Sequence, residues 1–298
     1  MVQQPGNRTD IREFLVSRRA RITPAQAGLP SSPRRRVAGL RREEVAVLAG
    51  VSTEWYTRLE KGHIGGVSDD VLHAVARALR LNEDERTYLF DLARASRPVR
   101  RAQGCRRDVE MRLPAQVQWL LDSMTLSSAF VRNGRTDVVA SNALARALFA
   151  PMFVSTTADQ RGCPNIARFV YLDATAPHFF LDWDSAAVAT AALLRAEVAR
   201  EPHDRALRDL VDELATLSFE FRRRWAAHDV LMRHDGVKQL RHPEVDELEL
   251  TFRSLDLPLS GRAEHELVTY TAEPGTAAED RLVLLASWTA TPQPAGRA

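Results

Sequence analysis

Short stretches of helical hydrophobic spacing, separated by turn-forming residues, fill the first 95 residues of this 298-residue chain. Asp10 and Glu13 have the spacing of a capping box, which predicts a helix from Asp10 to about Arg21. Three prolines and two glycines make 24–39 a predicted loop. Four further helical stretches are bordered by capping residues or glycine, at 41–49, 53–61, 69–80 and 83–95. The pattern therefore predicts five helices in one bundle.

Beyond residue 112 the pattern mixes strand and helix periods. Two short β-type runs, 129–132 and 136–140, predict a hairpin with an Asn-Gly turn at Asn133-Gly134. Helical spacing then dominates 142–227, with breaks near the prolines. Three later strands and a last helix are predicted at 238–241, 247–253, 267–272 and 277–287. This order predicts an α+β domain with an antiparallel sheet covered by helices on one face.

Together these patterns predict a multidomain chain. An all-α helical domain covers 1–95, and the α+β domain covers 113–290. Residues 96–112 contain six arginines and few apolar residues, which predicts a basic linker. We expect a disordered tail over 291–298.

The distribution of charge supports this division. The formal net charge of the chain is only +2, but residues 1–112 carry 22 basic and 14 acidic side chains, a net of +8. The remaining residues carry 19 basic and 25 acidic side chains, a net of −6. Such asymmetry is typical of a polyanion-binding segment joined to an acidic domain.

The composition excludes several classes of protein. Two cysteines without a CxxC pair, Cys105 and Cys163, exclude a disulfide framework and a cysteine-rich zinc site. The sequence has neither an apolar stretch of membrane-spanning length nor the apolar core of a signal peptide, so we expect a cytoplasmic protein without a membrane partner. A G-x-S-x-G elbow, a glycine-rich phosphate loop and an H-E-x-x-H pair are all missing. We therefore expect no enzymatic activity, no metal and no cofactor.

Residues 41–62 predict a helix-turn-helix. Gly50 marks a tight turn between two helices, and Ala46 is small enough to let them cross closely. The start of the second helix would meet base edges in the major groove through Ser52, Thr53, Thr57 and Arg58. Neighbouring arginines would contact phosphates and add salt-dependent affinity, namely Arg35, Arg36, Arg41 and Arg42. The alternative is an ordinary helical hairpin with a solvated, charged face.

The block 39–62, with 71–78 and 85–93 after it, closely resembles the XRE-type helix-turn-helix, in particular its MmyB-like branch of actinobacterial type. That branch typically carries the phrases GLRREEVA.LAGVS and YYTRLE.G. These phrases stand here at 39–52 and 55–62, with Trp55 in place of the usual tyrosine. The segment 63–67, after the second helix, differs from the usual sequence of the family.

The resemblance continues through the second domain. Residues 137–149 and 165–169, the EFR..W..HDV phrase at 220–230, and the strand motif around 238–250 all match, although Asp246 stands where the family often has glycine. The likeness covers about 10–288, and it implies a PAS-like domain with a cavity between sheet and helices that can hold a fatty acid. Aromatic side chains suited to an apolar pocket are Phe130, Phe149, Phe169, Phe221, Trp225 and Tyr270, and polar groups that could orient a carboxylate are Asn142, Arg222 and His228.

Each of these residues also has a structural interpretation. The aromatic side chains suit an ordinary core, Asn142 suits a helix cap, and Trp225 with His228 suits a hydrogen-bonded corner. For the whole chain we expect a homodimer that reads two half-sites of a double-stranded DNA operator and responds to a small apolar ligand. One alternative is a DNA-binding regulator whose second domain serves dimerisation or protein docking without a ligand. Another is an enzyme fused to a DNA-binding domain.

Overall fold

The structure is a computed structural model that describes residues 5–30, 35, 37–96, 113–158, 163–230, 234–259 and 265–290. Arg36, the predicted linker apart from Ser96, and the predicted tail lie outside the described residues. The chain divides into two compact units. The first comprises Met1–Cys105, Arg195–Arg205 and Arg224–Leu231, and the second comprises Arg106–Leu194, Ala206–Arg223 and Met232–Ala298. The first unit thus includes two segments that the sequence pattern assigns to the domain 113–290.

All five helices predicted for the first unit are present: α1 (Pro5–Arg21), α2 (Arg42–Ala49), α3 (Thr53–Glu60), α4 (Asp69–Ala78) and α5 (Glu83–Ala95). The predicted start of the first helix is wrong, because α1 already includes Pro5 and Asp10 lies inside it. There, burial raises the pKa of Asp10 to about 6. Asn82 and Glu85 form a capping box at the start of α5, with reciprocal side-chain to backbone hydrogen bonds.

The turn between α2 and α3 follows from two local features. Gly50 has a φ of 67° and ends α2 in the left-handed conformation. The Ser52 hydroxyl accepts a hydrogen bond from the Trp55 backbone N–H at 3.1 Å and so caps α3. Ala46 and Tyr56 are buried in the core of the unit, and α2 and α3 contact each other.

Two glycines let this pair of helices approach α1. A Cβ at Gly39 would lie 2.6 Å from the Cα of Ala20, and one at Gly62 would lie 2.6 Å from the carbonyl oxygen of Arg8. Gly62 also has a φ of 89°, which other residues adopt only with strain. Any side chain at either position would push the helix-turn-helix away from α1.

The second unit contains a five-stranded antiparallel sheet in the order β2-β1-β5-β4-β3. Its strands are β1 (Ser128–Asn133), β2 (Val138–Ser141), β3 (Asp235–His242), β4 (Asp246–Leu257) and β5 (His265–Thr271). The predicted α+β class and antiparallel sheet are confirmed.

The predicted two-residue turn between the first two strands is wrong. Three residues separate Asn133 from Asp137, whose backbone groups are paired at 3.1 Å, and Thr136 takes a positive φ of 64°. The Asn133 side chain accepts a hydrogen bond from the Asp137 backbone N–H, which stabilises this longer loop.

The described residues beyond α5 contain nine further helices: α6 (Ala115–Ser123), α7 (Ala143–Leu148), α8 (Ala150–Phe153), α9 (Ile166–Leu172), α10 (Ala176–Phe179), α11 (Trp183–Arg200), α12 (Arg205–Leu217), α13 (Phe219–Ala226) and α14 (Ala277–Ala290). Helices α7 and α14 pack against each other and against β1 and β4 respectively. The expectation that helices cover only one face is wrong. Val117 and Leu121 of α6 pack with Ala129 and Val131, whereas strand alternation directs Phe130 to the opposite face.

Candidate DNA interface and ligand site

The start of α3 presents the side chains predicted to read bases. Ser52, Thr53 and Arg58 are exposed, and Thr57 is half-buried. Within the part of the chain that the structure describes, the Arg58 guanidinium has no ion pair and no side-chain hydrogen bond. The start of α3 therefore exposes hydroxyl groups and one arginine that has no ion pair or side-chain hydrogen bond among the described residues.

Arg42 is oriented by a buried carboxylate. Glu60 is only 1% exposed and accepts from the Arg42 Nε at 2.8 Å and from the Arg19 Nε at 2.8 Å. The Arg42 side chain nevertheless remains 48% exposed. A single carboxylate thus joins α1, α2 and α3 while leaving part of the Arg42 guanidinium at the surface.

Arg35 has a structural role that the sequence did not indicate. Its guanidinium binds both carboxylate oxygens of Glu44, at 2.6 and 2.8 Å, and the Gly39 carbonyl oxygen at 2.8 Å. This ion pair holds the pKa of Glu44 at about 2. Arg41 is more exposed, with its Nη1 3.4 Å from Glu43. The phosphate contacts expected of Arg35 and Arg41 stay predictions.

Four of the six predicted pocket aromatics form one cluster between the sheet and the helices. Ring centroids lie 5.6 Å apart for Phe130 and Phe149, and 5.0 Å apart for Phe149 and Tyr270. Phe169 joins the cluster through Phe179, at 5.9 Å. The sequence reasoning missed the cluster members Phe179, Phe180 and Phe252. Adjacent aromatics at 179–180 were the available signal.

The other predicted ligand residues lie elsewhere in the two units. Phe221 packs edge-on against Tyr171, at 5.0 Å. Arg222 is exposed and donates to the carbonyl oxygens of Ala215 and Thr216. Trp225 and His228 belong to the first unit.

Asn142 matches its structural interpretation. Its side-chain oxygen accepts from the backbone N–H groups of Ala145 and Ala129, at 2.8 and 3.1 Å. Its amide donates to the carbonyl oxygens of Met124 and Ser127, both at 2.8 Å. These four bonds cap α7 and tie it to β1, so they occupy the hydrogen-bonding capacity of the side chain.

A polar pair shares the aromatic face of the sheet. Strand alternation places Arg132 on the same face as Phe130, and Arg132 pairs at 2.6 Å with Glu266, its cross-strand neighbour on β5. Burial disfavours the Glu266 carboxylate, but Arg132 and the Ser254 hydroxyl together hold its pKa below the ordinary value. The side-chain oxygen of Ser128, on the same face, is buried and has no hydrogen-bond partner among the residues that the structure describes. The alternation of Ser128, Phe130 and Arg132 was the signal for this set in the sequence.

Comparisons with protein families decide the identity of the chain. A family model described as the MmyB-like transcription regulator ligand binding domain matches residues 113–285, more than half of the chain. A second model, described as a helix-turn-helix domain, matches residues 33–89. The chain belongs to the MmyB-like transcription regulators. Comparison with individually curated proteins gave no match.

This MmyB-like regulator is therefore a DNA-binding transcription regulator with a ligand-binding domain. Both matched families are regulator families rather than enzyme families. Within the described ranges, none of the helices combines the length and the apolar composition of a membrane-spanning segment. No group of three or more histidine, cysteine, aspartate or glutamate side chains among those same residues could hold a metal ion.

The region matched as the ligand-binding domain contributes two segments to the first unit of the MmyB-like regulator, Arg195–Arg205 and Arg224–Leu231. Trp225 and His228 lie in the second segment. In this unit the Trp225 ring stacks on the Arg195 guanidinium at 4.2 Å, and the His228 Nδ1 lies 2.9 Å from the Arg195 Nη1. The sequence reasoning missed Arg195, which is 2% exposed and stands in a helical run of apolar residues.

Proposed function

We propose that the regulator binds double-stranded DNA sequence-specifically by placing the start of α3 in the major groove. Ser52, Thr53, Thr57 and Arg58 would contact base edges, and Arg41 and Arg42 would contact phosphates. The observation that carries this proposal is an exposed Arg58 without an ion-pair partner among the described residues, together with an Arg42 whose orientation is set by Glu60. A guanidinium held in advance loses less conformational freedom on binding.

The test uses a duplex that the wild-type chain selects from a random DNA pool. Arg58→Gln should lower discrimination between this duplex and an unrelated one by about 1–3 kcal/mol, the usual value of a base contact. Arg42→Gln should weaken binding to both duplexes and reduce the salt slope by about one phosphate contact.

Arg86→Gln on α5 is the matched control, because it removes the same charge from an exposed arginine paired with Glu83. We expect it to leave the discrimination between the two duplexes unchanged. Unchanged binding by both the Arg58 and the Arg42 variant would contradict the assignment of the interface.

We further propose that the regulator acts in the cytoplasm as a homodimer. Two recognition helices related by a two-fold axis would read half-sites about 34–36 Å apart. The native mass of the complex with the selected duplex tests this proposal. A complex of one chain on a site without two-fold symmetry would refute it.

For the second domain we propose a small apolar ligand that carries a carboxylate, such as a fatty acid. An apolar chain would insert among the rings around Phe149, which lie between the sheet and the helices. Arg132 lies on the same face and would bind the carboxylate in exchange for Glu266, with the Ser128 hydroxyl as a second donor.

Mass spectrometry of an organic extract from the purified protein tests the ligand. Saturated acids of ten to eighteen carbons should raise the melting temperature of wild type, since binding to the folded state stabilises it by about 2.7 kcal/mol at one hundred times Kd. Their methyl esters, and the acids added to Arg132→Gln, should stabilise less. A lipid-free extract and no stabilisation by any acid would favour the alternative, a docking module without a ligand.

A further inference from the structure

The core of the first unit includes residues from the family's ligand-binding region. Ala199 and Val230 are 2% and 4% exposed and belong to the same hydrophobic cluster as Ile11 of α1 and Leu92 of α5. The five N-terminal helices therefore share their core with the segments 195–205 and 224–231. Polar contacts add to this shared core.

Arg195 holds the second segment. One guanidinium nitrogen lies 2.9 Å from the His228 Nδ1, the other donates to the Trp225 carbonyl oxygen, and the indole ring covers its face. Since arginine can only donate, the His228 Nδ1 accepts, and the ring proton of neutral His228 lies on Nε2. This Nε2 is 3.0 Å from a carboxylate oxygen of Glu13 in α1.

Helix α1 holds the same segment at two further positions. Arg18 donates to the His228 carbonyl oxygen, and its Nη1 lies 3.2 Å from Glu85. Arg21 donates to the Ala227 carbonyl oxygen at 3.0 Å and to Asp229 at 2.6 Å. One side of α1 thus binds three consecutive residues, 227–229.

Arg19 of α1 connects this helix to the candidate DNA interface. Arg19 follows Arg18 and binds both carboxylate oxygens of Glu60, at 2.8 and 3.1 Å. Glu60 ends α3 and orients Arg42. The contacts therefore run continuously from Arg195 through His228, α1 and Glu60 to Arg42.

We propose that Arg195 and His228 are positioning residues for DNA recognition, which fix α1 and thereby the placement of α3 and Arg42. Residues matched as part of the ligand-binding region thus belong to the machinery that sets DNA affinity. This inference rests on the proposed DNA binding by α3. It adds a means of regulation, because the contacts of Arg195 and His228 with α1 continue through Arg19 to Glu60.

The test measures discrimination between the selected and an unrelated duplex at a temperature where every variant is folded. Arg195→Gln should lower this discrimination at least fivefold. The salt slope should stay unchanged, because buried Arg195 contacts no phosphate. Asp229→Asn, a milder variant at a partly exposed site, weakens the pair with Arg21 and should give a smaller loss in the same direction. It keeps the test usable if Arg195→Gln does not fold.

A double-mutant cycle separates positioning from general destabilisation. Combined with Glu60→Gln, Arg195→Gln should be non-additive in discrimination, because both substitutions interrupt one path. Arg168→Gln is the matched control, since it removes an arginine paired with Glu213 in the second unit, and it should leave discrimination unchanged.

The outcomes are distinguishable. If the wild-type chain selects no duplex, the proposed DNA function fails. If wild type discriminates but both Arg195→Gln and Asp229→Asn do so equally well, or if the cycle is additive, DNA binding stands and the positioning role is overturned.

Discussion

Gly62 and Gly66 both have positive φ angles, of 89° and 82°, but only Gly62 faces a second backbone. Replacement by alanine imposes left-handed strain of about 1–3 kcal/mol at either site. At Gly62 the new Cβ would also meet Arg8 of α1 at 2.6 Å. We therefore expect Gly62→Ala to lower the free energy of unfolding clearly more than Gly66→Ala, whose Cβ would meet open space. Chemical denaturation of both variants measures the difference, and equal losses would refute the close approach to α1.

His228 predicts a pH dependence of stability. Burial, with the cations Arg195, Arg18 and Arg21 around it, lowers the pKa of His228 to about 4. The unfolded chain therefore protonates His228 more readily than the folded chain does. The contribution of neutral His228 to the free energy of unfolding is complete above about pH 6.5 and is lost as the pH falls toward 4. Asp229 opposes the cations without reversing the shift. Glu13 also faces the ring, with a carboxylate oxygen 3.0 Å from the His228 Nε2.

The comparison with His228→Asn isolates this contribution, because asparagine tolerates the positive φ of 51° at this position. The variant should be less stable than wild type at pH 7.5, and the gap in free energy of unfolding should narrow by pH 4.5. Asp10, whose raised pKa of about 6 acts in the opposite direction, is present in both proteins. A gap that does not change with pH would contradict the assignment.

At the scale of the helix and strand, the two helix caps Asn82 and Asn142 can be compared for their contribution to stability. Asn142 and Asn82 both accept the N-terminal backbone bond of a helix, but Asn142 is buried and makes three further bonds to the backbone. Asn82→Ala should cost about 0.5–2 kcal/mol, the usual value of a cap. Asn142→Ala should cost roughly 1–3 kcal/mol more, since it leaves buried backbone groups unpaired. Equal losses on thermal unfolding would show that the link to β1 contributes nothing.

Local signals within a helix or strand decided which elements could be predicted from the sequence. Helices α2, α3 and α5 have local signals within their own residues, namely Gly50, Ser52 and the Asn82–Glu85 box, so their bounds were found to within a residue. Strands with alternating apolar residues were found for the same reason. The loop at Thr136 was missed because its conformation depends on the strand register and on an asparagine side chain, which composition does not reveal.

Residues of the candidate site divide in the same way. The exposed start of α3 was predicted because a helix-turn-helix fixes which side chains face outward. The roles of Arg35 and Arg195 depend on partners outside their own helix or turn, Glu44 and His228 respectively. Long-range packing also decided which aromatics meet, and it placed Trp225 in the first unit.

At the scale of the whole molecule, the family identity joins a DNA-binding part to a ligand-binding part. Their charges differ, with +8 over residues 1–112 and −6 over the rest. We therefore expect the DNA affinity of the chain to fall steeply with salt through the basic N-terminal part. A regulator further requires that ligand occupancy changes DNA binding, and such coupling is reciprocal.

The most direct measurement is a fluorescence anisotropy titration of the full chain against its selected duplex, with and without saturating fatty acid. We predict sequence-specific binding whose Kd changes about fivefold or more when the acid is present, a coupling of about 1 kcal/mol. Equal affinity for the selected and an unrelated duplex, at every acid concentration, would contradict the account.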